Sequence, residues 1–265
     1  MEVLILPDAD QAARLTARIL AKELRAKPDL VLGLATGQTM GRVYGYLAAF
    51  HQGERLDFSR CRTFNLDEYI GLSSGDPSSY RSYMGEQLFD RVNLDPSNTF
   101  LPDGMASDLA AECARYEAQI RQAGGIDLQL LGLGSDGHIG FNEPLSALLS
   151  RTREKALTPA TRIQNAEMFG GDPERVPRRA ITMGVGTILD ARRCLLLVTG
   201  ATKAEILAKA VEGPVTAMVT ASALQLHPRC QVVVDEEAAA LLQGKAYYRW
   251  IFENEPEWEE FRDLG

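Results

Sequence analysis

Short apolar runs alternate along the chain with longer segments in which apolar residues recur at helical spacing. Runs rich in Leu, Val and Ile predict strands, whereas recurrence every three or four residues predicts amphipathic helices. The predicted strands lie at residues 3–6, 30–35, 62–65, 128–133, 193–199 and 230–235. The predicted helices lie at residues 10–26, 40–50, 79–88, 106–123, 201–211 and 221–225.

Strands that are apolar throughout need cover on both faces, so the pattern predicts a doubly wound α/β fold. Its sheet is expected to be mostly parallel, with helices on both faces as in Rossmann-like proteins. Ligands of such sheets bind at the carboxyl ends of the strands, so functional residues are expected in the turns that follow strands. No repeat, linker or shift in composition separates a second domain, and residues 1–265 are predicted to form one domain.

Composition narrows the functional classes. The chain has 28 basic and 36 acidic residues, a formal net charge of −8, and no basic run, which argues against nucleic-acid or anionic-membrane partners. No apolar stretch approaches the roughly 18 residues of a membrane span, and the N-terminus lacks the features of a signal peptide. The four cysteines, Cys61, Cys113, Cys194 and Cys230, have no disulfide or zinc spacing. We therefore expect a cytoplasmic protein with a small-molecule ligand.

The turn after the predicted strand at residues 30–35 is the first candidate site. Thr36, Gly37, Gln38 and Thr39 lead from the strand into a helix. The N–H groups at a helix N-terminus and the helix dipole attract anions, and Gly37 allows close approach of a ligand to the backbone. The other interpretation is an ordinary turn in which a threonine caps the helix.

Two adjacent acids, Asp67 and Glu68, follow the predicted strand at residues 62–65 among apolar neighbours. In an extended chain, adjacent side chains point in opposite directions, so one acid could face a cleft and the other a partner. Burial raises the pKa of a carboxyl group, which suits a general base. The alternative is a solvated pair of loop acids.

Residues 131–144 read LGLGSDGHIGFNEP and place His138 between Asp136 and Glu143 on a glycine-rich turn. Carboxylates on either side of an imidazole fix its tautomer and raise its basicity, so the group suits a proton relay near neutral pH. A metal site is another interpretation, but no second histidine is present at a metal-ligand spacing. A structural histidine is the third. No metal and no cofactor is predicted.

Together these segments resemble the glucosamine-6-phosphate deaminase (isomerase) family. The likeness covers nearly the whole chain and lies in eight motifs. They are ATGQT, FNLDEYIGL, DPSSYRSYM, LGLGSDGHIGFNEP, SRTREKALT, VPRRAITMGVGTIL, TGATKAEILAKAVEGPV and LQLHP. The resemblance implies a doubly wound α/β domain that opens the ring of an amino-sugar phosphate, isomerises aldose to ketose and releases ammonium. The implied ligand is a small amino-sugar phosphate, and formation of a homo-oligomer is left open.

The resemblance also implies residue roles. Asp67 would move a proton between sugar carbons C2 and C1, and His138 would serve the ring oxygen during ring opening. Asp136 and Glu143 would hold and tune the imidazole. Thr36, Gly37, Gln38 and Thr39 with nearby backbone would hold the phosphate, and Lys203 would add a cation.

Related 6-phosphogluconolactonases share the early glycine turn and a DGH segment. They usually have Arg after the acid pair, where this chain has Tyr69, and they lack the FNEP continuation at residues 141–144. A lactonase is therefore the alternative enzyme. A sugar-phosphate-binding protein without turnover is the non-enzymatic alternative.

One position departs from the family. Glu167 stands where the family's phosphate site usually has Arg, and Gln38 and Met40 also differ from the customary residues. An anion beside a phosphate costs affinity because like charges repel. Three explanations are open: Arg162 takes over the phosphate, Glu167 turns outward without effect, or the substrate differs at the end distal to the reacting carbons.

Overall fold

The chain folds into two β-sheets in the computed structural model, which describes residues 1–262. The strands, in chain order, are β1 (Glu2–Leu6), β2 (Val31–Leu34), β3 (Arg62–Asn65), β4 (Asp67–Tyr69), β5 (Thr99–Phe100), β6 (Leu128–Gly132), β7 (Arg153–Ala156), β8 (Arg179–Thr182), β9 (Cys194–Val198) and β10 (Cys230–Asp235). The larger sheet is parallel, with the order β1-β10-β9-β6-β2-β3-β5. The smaller sheet is antiparallel, with the order β4-β8-β7.

Helices accompany both sheets. They are α1 (Ala9–Ala26), α2 (Gln38–Glu54), α3 (Tyr80–Gln87), α4 (Leu109–Gln122), α5 (Pro159–Asn165), α6 (Val185–Leu189), α7 (Ala204–Val211) and α8 (Lys245–Asn254). Short 3-10 turns, including Ala166–Phe169, Ala201–Lys203 and Thr220–Leu226, connect them. The predicted doubly wound fold is confirmed, and none of the helices within residues 1–262 is long and apolar enough to cross a bilayer.

The apolar strands are buried because helices cover both faces of the parallel sheet. Every residue of β9 and β10 is buried, including Gln231 and Asp235. A strand with no solvent face needs apolar side chains at successive positions, which explains the continuous runs in the sequence. All four cysteines are buried and free.

The strand order reverses between β2 and β6. From β2 the chain continues outward to β3 and β5, whereas β6 lies on the other side of β2 and is followed in the sheet by β9, β10 and β1. In open parallel sheets a crevice forms at such a reversal, outside the carboxyl ends of the strands. The turns after β2 and β6, at residues 35–37 and 133–138, therefore meet at this crevice.

The small sheet closes one side of the crevice and was not predicted. Asp67 pairs with Thr182, more than a hundred residues away, and Arg153 pairs with the same threonine from the other side. Strand β7 alternates half-buried and exposed polar residues, so it has no apolar run to reveal it. The predicted helix at residues 221–225 is wrong in type, because the segment is a 3-10 turn without a side-chain cap.

Two glycines allow a paired test of the packing. Gly104 lies against β4, where an added Cβ would be 2.0 Å from the Tyr69 carbonyl oxygen, whereas at Gly45 in α2 no atom lies within 4 Å of that position. We expect Gly104→Ala to lower the free energy of unfolding by about 1–3 kcal/mol through overpacking. We expect Gly45→Ala to raise it by about 0.5–1 kcal/mol through helix propensity. Urea unfolding measures both, and a change of the same sign would contradict the packing described.

Candidate active site

A cavity of about 480 Å³ opens at the carboxyl ends of the parallel strands, where the strand order reverses. Its walls come from six segments, at residues 35–40, 66–67, 80–83, 132–141, 164–168 and 197–203. A volume of this size suits a small-molecule ligand. Thr36, Gln38, Thr39 and Lys203 all lie in the wall, as predicted.

The turn after β2 is held in place by tyrosines. Gly37 has φ 122°, a left-handed conformation that favours glycine, and α2 begins at Gln38 with no side chain capping it. The alternative interpretation, in which a threonine caps the helix, is therefore wrong. The Tyr83 hydroxyl donates to the Gly37 carbonyl at 2.7 Å, and the Tyr44 hydroxyl donates to the Ala35 carbonyl. These bonds fix the turn through its carbonyl groups, and an uncapped helix start attracts anions.

The side chains of Asp67 and Glu68 point in opposite directions because the two residues are adjacent in strand β4. Glu68 turns away from the cavity and accepts the backbone N–H groups of Tyr69, Tyr80 and Arg81 at 2.8, 3.0 and 2.9 Å. It thereby satisfies donors at the start of α3. Asp67 lines the cavity, with 5% of its surface exposed. The alternation expected of an extended chain is confirmed.

Burial tunes Asp67 for proton transfer. Desolvation, aided by the negative charge of Glu68, raises the pKa of Asp67 to about 8, although a backbone hydrogen bond from Phe141 opposes the shift. A carboxyl group with a pKa near neutral both takes and returns a proton readily. Gly140 leaves the space beside it, since a Cβ there would lie 3.4 Å from Asp67 Oδ2 and 2.9 Å from Thr182 Oγ1.

His138 is the second titratable side chain on the cavity wall. Its Nδ1 lies 2.5 Å from Asp136 Oδ1 and 3.8 Å from Glu143 Oε2, so the proton on Nδ1 is directed to a carboxylate and Nε2 is the basic nitrogen. Burial alone would raise the pKa of Asp136, but the hydrogen bond and charge of His138 outweigh it and the pKa is lowered. The ring packs over Gly134, where a Cβ would lie 2.3 Å from it.

Glu143 connects His138 to the start of α5. It is 3% exposed, and its Oε1 accepts the Thr158 N–H at 2.9 Å at the start of α5. Possible ligand atoms of Asp136, His138 and Glu143 lie within 4.8 Å of one another, so this group could also hold a metal ion. A metal on Nδ1 would have to displace the His138–Asp136 hydrogen bond, and the arrangement is complete as a proton relay without that change.

Lys203 and Arg162 have different surroundings. Lys203 Nζ donates to the Leu133 carbonyl at 2.8 Å in the cavity wall, and burial lowers the pKa of Lys203 against the opposing charge of Asp136. Arg162 lies outside the wall, and its guanidinium donates to the carbonyls of Pro173 at 2.7 Å and Val176 at 3.3 Å. The explanation in which Arg162 takes over a phosphate is therefore not supported.

Several wall residues were missed by the sequence interpretation. Tyr80 and Tyr83 lie in the wall three residues apart on α3, a spacing that puts both on one helix face. Gln164 and Asn165 also lie in the wall, and Gln164 Oε1 accepts the Ser135 N–H at 3.0 Å. The tyrosine pair could have been found from that spacing, whereas the Gln164 contact joins helix α5 to the turn after β6, 29 residues earlier in the chain.

The fold and the site define an α/β enzyme whose cavity brings ionisable side chains close to an uncapped helix N-terminus. Residues 8–234 match the model of the family described as glucosamine-6-phosphate isomerases/6-phosphogluconolactonase, and the chain belongs to that family. The glucosamine-6-phosphate deaminase of Streptomyces coelicolor is 49% identical over 259 residues, which cover 98% of this chain and 99% of that protein. The resemblance found in the motifs is confirmed.

Solved structures agree. A monomeric glucosamine-6-phosphate deaminase matches with a TM-score of 0.89 and 46% identity, over 91% of this chain and 100% of that one. A 6-phosphogluconolactonase from Leishmania guyanensis matches with a TM-score of 0.71 and 20% identity, over 90% of this chain and 97% of that one. The lactonase likeness is one of fold alone.

The raised pKa of Asp67 has a consequence for stability. Its pKa is 3.8 ordinarily and about 8 in the fold, so between those pH values the folded protein keeps a proton that the unfolded chain releases. Stability is therefore lost as pH rises through this window. We expect Asp67→Asn, which cannot ionise, to be as stable as the wild type near pH 4. Above pH 8 it should be more stable by a few kcal/mol.

Urea unfolding at several pH values between 4 and 9 measures this difference. Asp29→Asn, outside the cavity wall, is the matched control and should follow the wild type throughout. A difference between Asp67→Asn and the wild type that stays constant with pH would show that Asp67 is not held protonated by the fold.

Proposed function

We propose that the protein converts an amino-sugar phosphate to a ketose phosphate and ammonium, with glucosamine 6-phosphate and water giving fructose 6-phosphate. The observation that carries the proposal is a buried carboxyl group, Asp67, on the same cavity as a histidine held between two carboxylates. The names of the relatives support the substrate class, since the Streptomyces coelicolor protein is a glucosamine-6-phosphate deaminase.

Ring opening is assigned to His138. The sugar's cyclic form must lose the proton of its C1 hydroxyl while the ring oxygen gains one, and an imidazole accepts and donates protons near neutral pH. The bond from Nδ1 to Asp136 leaves Nε2 to exchange a proton with the sugar. Glu143 Oε2 lies 3.8 Å from the same Nδ1, so a second carboxyl group faces the imidazole while it exchanges protons.

Isomerisation is assigned to Asp67. In the open chain the carboxylate form of Asp67 takes the proton from C2 while the C1 carbonyl oxygen takes up a proton, which gives an enolamine. Asp67 then returns its proton to C1 while the amino group releases one, which leaves a C1 hydroxyl and an imine at C2. Water then adds to C2, and ammonia leaves as the C2 carbonyl forms. One carboxyl group serves both transfers, because a pKa near 8 makes its two protonation states close in energy at neutral pH.

Phosphate binding is assigned to the turn after β2 and to Lys203. The turn contributes Thr36, Gly37, Gln38 and Thr39 at the uncapped start of α2, where the helix dipole attracts an anion. Lys203 contributes a cation to the same wall. The reacting carbons then lie toward Asp67 and His138.

The lactonase alternative is less well supported. The position after the acid pair, where lactonases usually have an arginine, holds Tyr69, whose ring is fully buried against Tyr80, Phe141 and Phe169. Lactone hydrolysis also has no use for a base that shuttles a proton between carbons, which is the role that suits Asp67.

We further propose that residues 1–265 act as one domain, since the small sheet and the parallel sheet together form the cavity wall. The cytoplasmic location stays a prediction from the spacing of the cysteines.

Ammonia release tests the function directly. We expect the wild type to release ammonia from glucosamine 6-phosphate, and Asp67→Asn to lose at least about 10³-fold in kcat because the substituted amide cannot take the C2 proton. Asp67→Asn should still bind the sugar phosphate, and Asp29→Asn should keep wild-type rates. Turnover by Asp67→Asn would contradict the role of Asp67. A wild type that releases no ammonia but opens 6-phosphogluconolactone would favour the lactonase, and binding without either turnover would favour the non-catalytic binding protein.

A further inference from the structure

The charges on the cavity wall are poorly matched to a doubly charged ligand. Among the described residues that line the cavity, Lys203 is the only lysine or arginine, whereas Asp67 and Glu167 both carry carboxyl groups. Asp67 holds a proton up to a pH of about 8, so Glu167 is the anion that a ligand meets at neutral pH. Lys203 and Glu167 carry opposite charges that balance each other. The remaining positive potential on the wall is therefore that of the helix dipole at the N-terminus of α2.

The backbone holds Glu167 in place. It lies in the 3-10 turn Ala166–Phe169, whose flanking residues Ala166 and Phe169 are buried. The Phe169 ring packs edge-on against Tyr69 at 5.4 Å, and the Gly171 N–H donates to the Ala166 carbonyl at 2.8 Å. The side chain of Glu167 itself is exposed, and it extends from this fixed backbone at the wall of the cavity.

No neighbour neutralises this carboxylate. Within residues 1–262 Glu167 has no ion pair, and the nearby Arg162 is bonded to the backbone of the following turn and lies 3.3 Å from Glu174. Lys203 is held by the Leu133 carbonyl, and burial lowers its pKa. A phosphate dianion at the start of α2 would thus share the cavity with an uncompensated negative charge.

We propose that Glu167 is a specificity-determining residue that disfavours a phosphate dianion at the distal end of the substrate. It does so relative to 2-amino-2-deoxy sugars whose distal group is an uncharged hydroxyl, since a carboxylate accepts a hydrogen bond from a hydroxyl but repels a phosphate. The inference rests on the proposed deaminase function and adds the residue that sets how strongly the site discriminates against charge at the distal end of the substrate.

The experiment compares ammonia release from glucosamine 6-phosphate and from glucosamine. Glu167→Gln removes the charge and keeps the size of the side chain. At a separation of about 8 Å, removing one charge beside a dianion changes affinity by about fivefold even at the dielectric constant of water. We therefore expect KM for glucosamine 6-phosphate to fall about fivefold, kcat to change less than about twofold, and KM for glucosamine not to fall. Glu167→Arg should lower KM for the phosphate further.

Glu253→Gln is the matched control. Glu253 is exposed at the end of α8 and outside the cavity wall, so the variant makes the same change in net charge without touching the site. It should leave both KM values as in the wild type. The effect of Glu167→Gln should also shrink as the ionic strength rises from about 0.05 to 0.5 M, since salt screens exposed charges.

Equal effects on the two sugars, or no effect on either, would overturn the inference. Calorimetric titration of glucosamine 6-phosphate into Asp67→Asn, with and without Glu167→Gln, gives the same test without turnover. If the wild type releases no ammonia but Glu167→Gln still tightens this binding, the proposed function fails while the role of Glu167 stands. If binding is unchanged, the role of Glu167 fails whatever the wild type does with the sugar.

Discussion

Burial of one carboxyl group, Asp67, is the constraint on which the site depends. The parallel sheet forms a crevice where its strand order reverses, and the short strand β4 carries Asp67 across that crevice. Desolvation there raises its pKa to about 8, and a base near neutrality can both take and return a proton. Burial of this ionisable group has a cost. Because the fold holds the carboxyl group in its protonated form, the free energy of unfolding falls as pH rises from about 4 to about 8.

The other parts of the site serve that carboxyl group. Strand alternation sends Glu68 away from the cavity, where it accepts two backbone N–H groups at the start of α3 and that of Tyr69, so a second acid does not enter the cavity. Glycines at 134 and 140 leave space for the His138 ring and for Asp67. Asp136 and Glu143 orient the imidazole, so two proton-transfer groups of different chemistry face one cavity.

Local sequence patterns predicted much of this architecture. Strand β3 and strand β10 have the predicted bounds, and for β10 the signal is the apolar run of three valines at residues 232–234. Asp67 and His138 were found because they follow such strands directly. The small antiparallel sheet was missed, since Asp67 pairs with Thr182 across the chain and polar residues of β7 show no local strand signal. The guanidinium of Arg162 lies outside the cavity because it donates to the Pro173 carbonyl. The positions of these residues in the sequence do not indicate that contact.

The ionisation of Asp67 in the folded protein tests the account most directly. Its carboxyl carbon can be followed by ¹³C nuclear magnetic resonance over pH 4–10, with Asp67→Asn identifying the resonance. The account predicts a midpoint at a pH of about 8 in the free protein, well above the ordinary value of 3.8. A midpoint near that ordinary value would mean that the carboxyl group is solvated, and it would contradict the role of burial in making Asp67 the base.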